Sequence, residues 1–256
     1  MIVDTATFAI ILRFTLPDQI TSKARPREGA LVSKHMHRDL ERLQRSVLNM
    51  ASLVEEAIIQ SIQSLQEFDA DRAKRVIESD SEIDLAENQV QNECLKILAL
   101  HQPVAVDLRR VSAVLMLVTD LERMGDLAVG IAERSLEVSR PPFPQVPERI
   151  HKMALRTATM VRDSLNAFVQ LDANAARSII QQDDLVDADN NAIIVELITR
   201  MKQKPEELEP SLSLFSAVRN LERIADHATN IAEEVIYLVE GEMARHHPEM
   251  VQRRRK

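Results

Sequence analysis

Glycine is almost missing from this chain of 256 residues, with four in all, and tryptophan is absent. Aromatic residues make up 3% of it. Sandwiches and barrels need glycine-rich turns and strands built on aromatic and β-branched residues, so an all-β fold is excluded. Neither G-x-G-x-x-G nor G-x-x-x-x-G-K-[ST] occurs, which removes the glycine-dependent dinucleotide and P-loop phosphate sites. A single cysteine, Cys94, permits no internal disulfide and no thiolate zinc site. Its place in the apolar-periodic stretch 91–100 reads as a small buried thiol. Basic residues are outnumbered, and the net charge of −8 argues against a general nucleic-acid binder. Long hydrophobic runs are lacking too. The longest, residues 8–16, is broken by Arg13, has no basic leader and follows Asp4, so it suits neither a membrane span nor a signal peptide. A cytoplasmic protein without a transmembrane segment is expected.

What is present is helical. Apolar residues are 45% of the chain and charged ones 28%, a globular balance. Proline divides the sequence, falling at 17 and 26, at 103, at 141, 142, 144 and 147, at 205 and 210, and at 248. Because proline inside a helix costs about 3 kcal/mol, the spans between mark where helices can run. Those are roughly 36–68, 71–101, 105–138, 148–170, 173–203 and 211–241. Leu40, Leu43, Val47, Met50, Val54, Ala57, Ile58, Ser61 and Leu65 recur at helical spacing. So do Val111, Val114, Leu115, Val118 and Leu121. Asp69 with Asp71, and Asp172 with Asn174, are helix-start signals.

The stretch RPPFPQVP (140–147) separates two sets of three helices, and the two sets are copies. A shift of 100 lays LERMGDLAVGIAE (121–133) over LERIADHATNIAE (221–233) with 8 of 13 positions identical, where unrelated segments share about one. A shift of 103 lays Asp80 and Asp84 over Asp183 and Asp187, and a shift of 107 lays Val54 over Val161. The offset changes at the helix–helix turns, where insertions are cheapest. The expected fold is all-α, two tandem three-helix bundles related by a pseudo-twofold internal repeat. Its units are 36–139 and 148–241, joined by the linker 140–147. Residues 1–35 are expected to be a flexible extension and 242–256, ending in RRRK, a basic solvated tail.

The repeat carries carboxylates. Glu122 and Asp126 stand at i and i+4 on one helix face, and Glu222 and Asp226 repeat them. Asp80 with Asp84, and Asp183 with Asp187, form similar pairs in each preceding helix. A hairpin of the two helices can bring four carboxylates together, an all-oxygen set suited to octahedral Mg²⁺, Mn²⁺ or iron. One such pair next to an arginine is ordinarily a solvated salt-bridge face, and Arg123 and Arg223 follow the glutamates. Repetition next to the apolar Leu121 and Leu221 is what gives the pairs weight. A ferritin-like di-metal site needs Glu-x-x-His twice, and Glu148–His151 is the sole instance, read as chance. His227 follows Asp226, but Leu127 holds the equivalent place, so a repeated site cannot require it. His35, His37, His246 and His247 read as surface residues. No nucleophile–base pair is visible, and no enzyme is expected.

With DLERMGD and NLERIADHATNIAE, each preceded by an acidic helix, the chain resembles the PhoU family of phosphate-uptake regulators. Further matching stretches are KHMHRDLERL, VAVDLRRVSAVLMLVTDLERMGD and NIAEEVIYLVEG, so the likeness spans residues 34–241. The resemblance implies a non-enzymatic regulator of phosphate uptake and phosphate-starvation signalling. Such a protein is an adaptor between the ATPase subunit of the phosphate ABC transporter and the phosphate-sensing histidine kinase, and frequently a homodimer. It implies peripheral membrane association through those partners. It also implies an iron-type cluster, or one of Mn, Mg or Zn, on Glu122, Asp126, Glu222 and Asp226, with support from Asp80, Asp84, Asp183 and Asp187. Arg123, Arg223 and Arg109 are further motif residues, and Arg109 belongs to one half only. The alternative reading of the same residues is a carboxylate-bridged metal enzyme, or a metal or phosphate store, on a helical bundle.

Overall fold

A computed structural model describes residues 28–139 and 146–241, with side chains from His35 onward. The elements are α1 (Glu28–Glu67), α2 (Ala70–His101), α3 (Ala105–Val138), α4 (Glu148–Gln170), α5 (Ala173–Gln203) and α6 (Leu208–Glu240). The expected extension 1–35 needs one correction, because α1 already begins at Glu28, well before residue 36. The rest of that extension, most of the linker and the basic tail lie outside the described residues.

Two hairpin turns show how sequence sets the hinges. Asp69 caps α2, its carboxylate accepting from the N–H groups of Asp71 at 3.1 Å and Arg72 at 2.9 Å. Asp172 caps α5 in the same way, accepting from Asn174 at 2.9 Å and Ala175 at 3.0 Å. Such caps satisfy N–H groups that a helix start otherwise leaves unpaired. The residue before each aspartate, Phe68 or Leu171, takes a left-handed φ of 56° or 52°. Each aspartate N–H then reaches back to Ser64 or Ala167 at 3.0 Å, closing the preceding helix.

The last helix, like the first, begins before its expected start. A 3-10 turn, Pro205–Glu207, leads into α6 at Leu208, so Pro210 falls inside the helix. It stands in the first turn, where a missing N–H costs nothing.

Within each half the three helices pack on one another, and the halves meet where α3 lies on α6 and α1 touches α4. One apolar core runs through all six helices and includes Met50, Leu65, Leu117, Leu121, Met153, Met160 and Leu221. Small residues at the facing positions of α3 and α6, among them Ala128, Ala132, Ala228 and Ala232, are fully buried. Volume is traded between the copies. A side chain on Gly125 would come within 3.1 Å of Ile83, whereas the repeat has Ala225 with the smaller Val186. No helix among the described residues is long and apolar enough to cross a membrane.

Candidate functional site

Burying Leu121 with Met124, and Leu221 with Ile224, turns the acidic residues of each motif toward the outside, because a helix that buries one stripe exposes the opposite one. Glu122 and Glu222 are half-buried, and Asp126 and Asp226 are exposed. Each pair faces the acidic stripe of the neighbouring helix of its own half. In the first half, burial and then the charges of Asp84 and Asp126 raise the Asp80 carboxyl above its ordinary range. Burial first, then Asp126, Glu87 and Asp84, raise Glu122. Glu87 is raised by burial and by Asp84 and Asp126. The first face is therefore Asp80, Asp84 and Glu87 on α2 opposite Glu122 and Asp126 on α3.

In the second half Asp183 is pushed up to about 6, by burial first and then by Asp226, Asp187, Asp184 and Glu222. Burial and then Asp226 raise Glu222. Burial and then Asp187 raise Asp226. These shifts express one fact: carboxylates have been partly dried and drawn together, and the nearby arginines offset this only in part.

The sequence missed Glu87. It lies seven residues beyond Asp80 on the same stripe, and the 103 shift pairs it with Asn190. Asn190 is 3% exposed and its Oδ1 has no hydrogen-bond partner, nor has Oε2 of Glu222. These two buried oxygens lie on the helices whose carboxyls are raised by burial and then by neighbouring charge, and a cation would supply a missing partner. The oxygens are not drawn into a closed shell: among the described residues no three His, Cys, Asp or Glu are gathered tightly enough to hold a metal ion as they stand. The donor set fits a hard or intermediate cation, and gathering it requires side-chain rotation.

Arg123 and Arg223 are exposed, and the guanidinium that binds Glu222 is that of Arg219, Nη1 to Oε1 at 3.1 Å. Arg109 lies over the end of α6, its guanidinium beside Gly241, whose φ of 74° closes the helix. A cation there complements the carbonyl end of the helix.

His227 has a role that its neighbour Asp226 does not predict. Its ring is directed inward and Nδ1 donates to Oδ1 of Asp120 at 2.8 Å, with Asn230 Nδ2 at 3.3 Å from the same oxygen. Asp120 is 4% exposed, so this network across the α3–α6 seam satisfies a carboxylate that would otherwise be costly to bury. The repeat has Leu127, Gly130 and Asn220 at these positions, so the network exists once. Cys94 is fully buried and its thiol is pushed up to about 12, which leaves it unreactive. His35 and His37 are exposed, and His246 and His247 lie outside the described residues.

An all-α protein of two three-helix copies, each with an outward carboxylate face on its last two helices, is the class that this fold and site define. The PhoU domain model matches residues 47–135 and 150–235, one copy to each half. The chain belongs to the PhoU family. It is 38% identical over 216 residues to the phosphate-specific transport system accessory protein PhoU homolog of Pseudomonas putida, covering 84% of each chain. The crystal structure of PhoU from Pseudomonas aeruginosa superposes with a TM-score of 0.78 at 36% identity, covering 80% of this chain and 99% of that one. The phosphate transport system regulatory protein PhoU from Streptococcus pneumoniae gives a TM-score of 0.76 at 32% identity, over 81% of this chain and 98% of the other.

Proposed function

We propose that this protein is a non-enzymatic accessory of phosphate transport, an adaptor between the ATPase subunit of the phosphate transporter and the phosphate-sensing histidine kinase. The observation that carries this reading is the match over 84% of both chains to a phosphate-specific transport accessory protein. The duplicated acidic face supports a cation-dependent form of it. Glu122, Asp126, Asp80, Asp84 and Glu87 would hold cations in the first half, and Glu222, Asp226, Asp183 and Asp187 with the Asn190 carbonyl in the second. A bound cation would neutralise the repulsion within each face and fix the angle between its two helices. A second copy fits the outer surface, where α2 leaves Leu85 70% exposed and α5 leaves Val195 65% exposed.

Deleting the gene tests the regulatory reading. Phosphate-starvation genes should become active in phosphate-rich medium, and unchanged reporter output and phosphate uptake would refute it. Co-purification from membranes at high and low phosphate should recover the ATPase subunit and the kinase. Elemental analysis of the wild type, Asp126→Ala and Asp226→Ala tests the cation reading. Each variant should lose metal from one half and keep it in the other, and equal content in all three would refute it.

A further inference from the structure

An apolar groove lies apart from both acidic faces, where the first turns of α1 meet the start of α3 and the ends of α4 and α6. Leu40, Val47, Val111, Val114, Phe168 and Leu238 line it. Its volume is about 200 Å³, above the ~150 Å³ that accepts a benzene ring. Leu40, Val114 and Phe168 pack on the core and are only partly buried, so apolar surface is left facing the groove. The charged residues that border it are Glu41 and Asp107, with the His37 ring 3.2 Å from Glu41 and Arg110 3.5 Å from Asp107. With the imidazole neutral, two carboxylates stand against one guanidinium and the balance is negative. The repeat offers a comparison. At the shift of 107 that relates α1 to α4, Pro147 overlies Leu40. In the second half the chain ahead of α4 covers that level, with Pro147 buried and Val146 packed on the core. In the first half α1 runs through the same level as a helix from Glu28, and the groove beside it is open.

We infer that this groove is a docking site for residues 8–16 of the same chain, FAIILRFTL. Six of those nine residues are Phe, Ile or Leu, a run whose exposure to water is unfavourable when a matching apolar surface is within reach. The groove is within reach. Met36, at its edge, stands eight residues along α1 from Glu28, about 12 Å of helix. The eleven residues 17–27 between the run and α1 span up to ~36 Å when extended, three times that distance. Arg13 is the only charge in the run, and it complements the negative balance set by Glu41 and Asp107. The chain beyond Gly241 also leaves the fold close to Leu238, but among its fifteen residues only Met243, Met250 and Val251 are large and apolar. The N-terminal run is the better match. Docked there, it covers apolar surface of four helices, and a protein that uses the groove must first displace it.

The chain has no tryptophan, so a single one placed in the run reports on that segment alone. Phe8→Trp and Phe14→Trp, made one at a time in the full-length protein, are compared with free peptides of residues 5–20 carrying the same changes. At least one variant should emit at shorter wavelength than its peptide and lose most of the quenching by acrylamide, equally at low and high protein concentration. Val114→Asp, in the groove wall, should return emission and quenching to the peptide values. Arg13→Glu should do so in part without touching the helical core, and Glu41→Arg, at an exposed position, should then restore the protection. Peptide-like emission from both tryptophan variants would overturn the inference and leave the groove to the tail or to another molecule. Protection that appears only as concentration rises would overturn it in favour of a second copy's segment. Protection that survives both Val114→Asp and Arg13→Glu would overturn it by showing that the run is buried elsewhere.

Discussion

Replacing Asp183 by asparagine should stabilise the metal-free protein at neutral pH. Burial, followed by the charges of Asp226, Asp187, Asp184 and Glu222, moves this carboxyl from its ordinary 3.8 to about 6. At neutral pH the native state therefore holds a charge that the unfolded chain carries in water without strain. A gap of about two units at ~1.4 kcal/mol each sets an upper bound of roughly 3 kcal/mol. Solvent still reaches this half-buried carboxyl and screens it, so the isosteric amide should recover about 1 kcal/mol, a rise in Tm of roughly 2–4 °C for a chain of this size. Linkage fixes the sign. Between 3.8 and about 6 the native state binds more protons than the unfolded one, so stability falls as pH rises through that window and is level above it. The advantage of Asp183→Asn should accordingly be full at neutral pH and fade towards 3.8, where aspartate is protonated in the native state. Urea denaturation followed by far-ultraviolet circular dichroism, in chelator and at both ends of the window, measures it. A variant that is neutral or less stable at neutral pH, or whose gain is the same in acid, would refute the electrostatic account. Saturating divalent cation should reverse the order, because the amide removes a negative donor.

Gly125→Ala should gain little or lose stability alone, since its methyl group meets Ile83 at 3.1 Å, but should exceed wild type by about 1 kcal/mol when combined with Ile83→Val. A double-mutant cycle in urea measures that coupling, and additivity would sink it. Asp120→Ala strands the His227 and Asn230 donors in the α3–α6 seam and should cost about 1–3 kcal/mol. Asp120→Asn, which keeps an acceptor oxygen there, should cost less, and an equal loss for both would argue against the hydrogen-bond account. Asp69→Ala and Asp172→Ala each remove one helix cap and should cost about 1 kcal/mol, adding in the double variant because they lie in different halves. Thermal melts of the three variants check this.

Helix number, hinge positions and the twofold repeat could all be read from the residues. Proline excludes helix interior wherever it falls beyond the first turn, Asp69 and Asp172 mark their starts by local hydrogen bonds, and the shift of 100 exposes the duplication. These features depend on neighbours within a few positions along the chain, so they survive without knowledge of the fold. The acidic stripes were legible for the same reason, since residues four apart share a helix face. Glu87 lies on the stripe of Asp80 and Asp84, but its counterpart is Asn190, so the repeat does not mark it. What only the tertiary structure decided is which groups meet across elements. The sequence puts Arg223 next to Glu222, yet one residue along a helix is a turn of about 100°, and it is Arg219, three residues before Glu222, whose guanidinium hydrogen-bonds the glutamate. His227 adjoins Asp226 in sequence and binds Asp120 in the other half, since the rotation that turns Asp226 outward turns the next side chain into the seam.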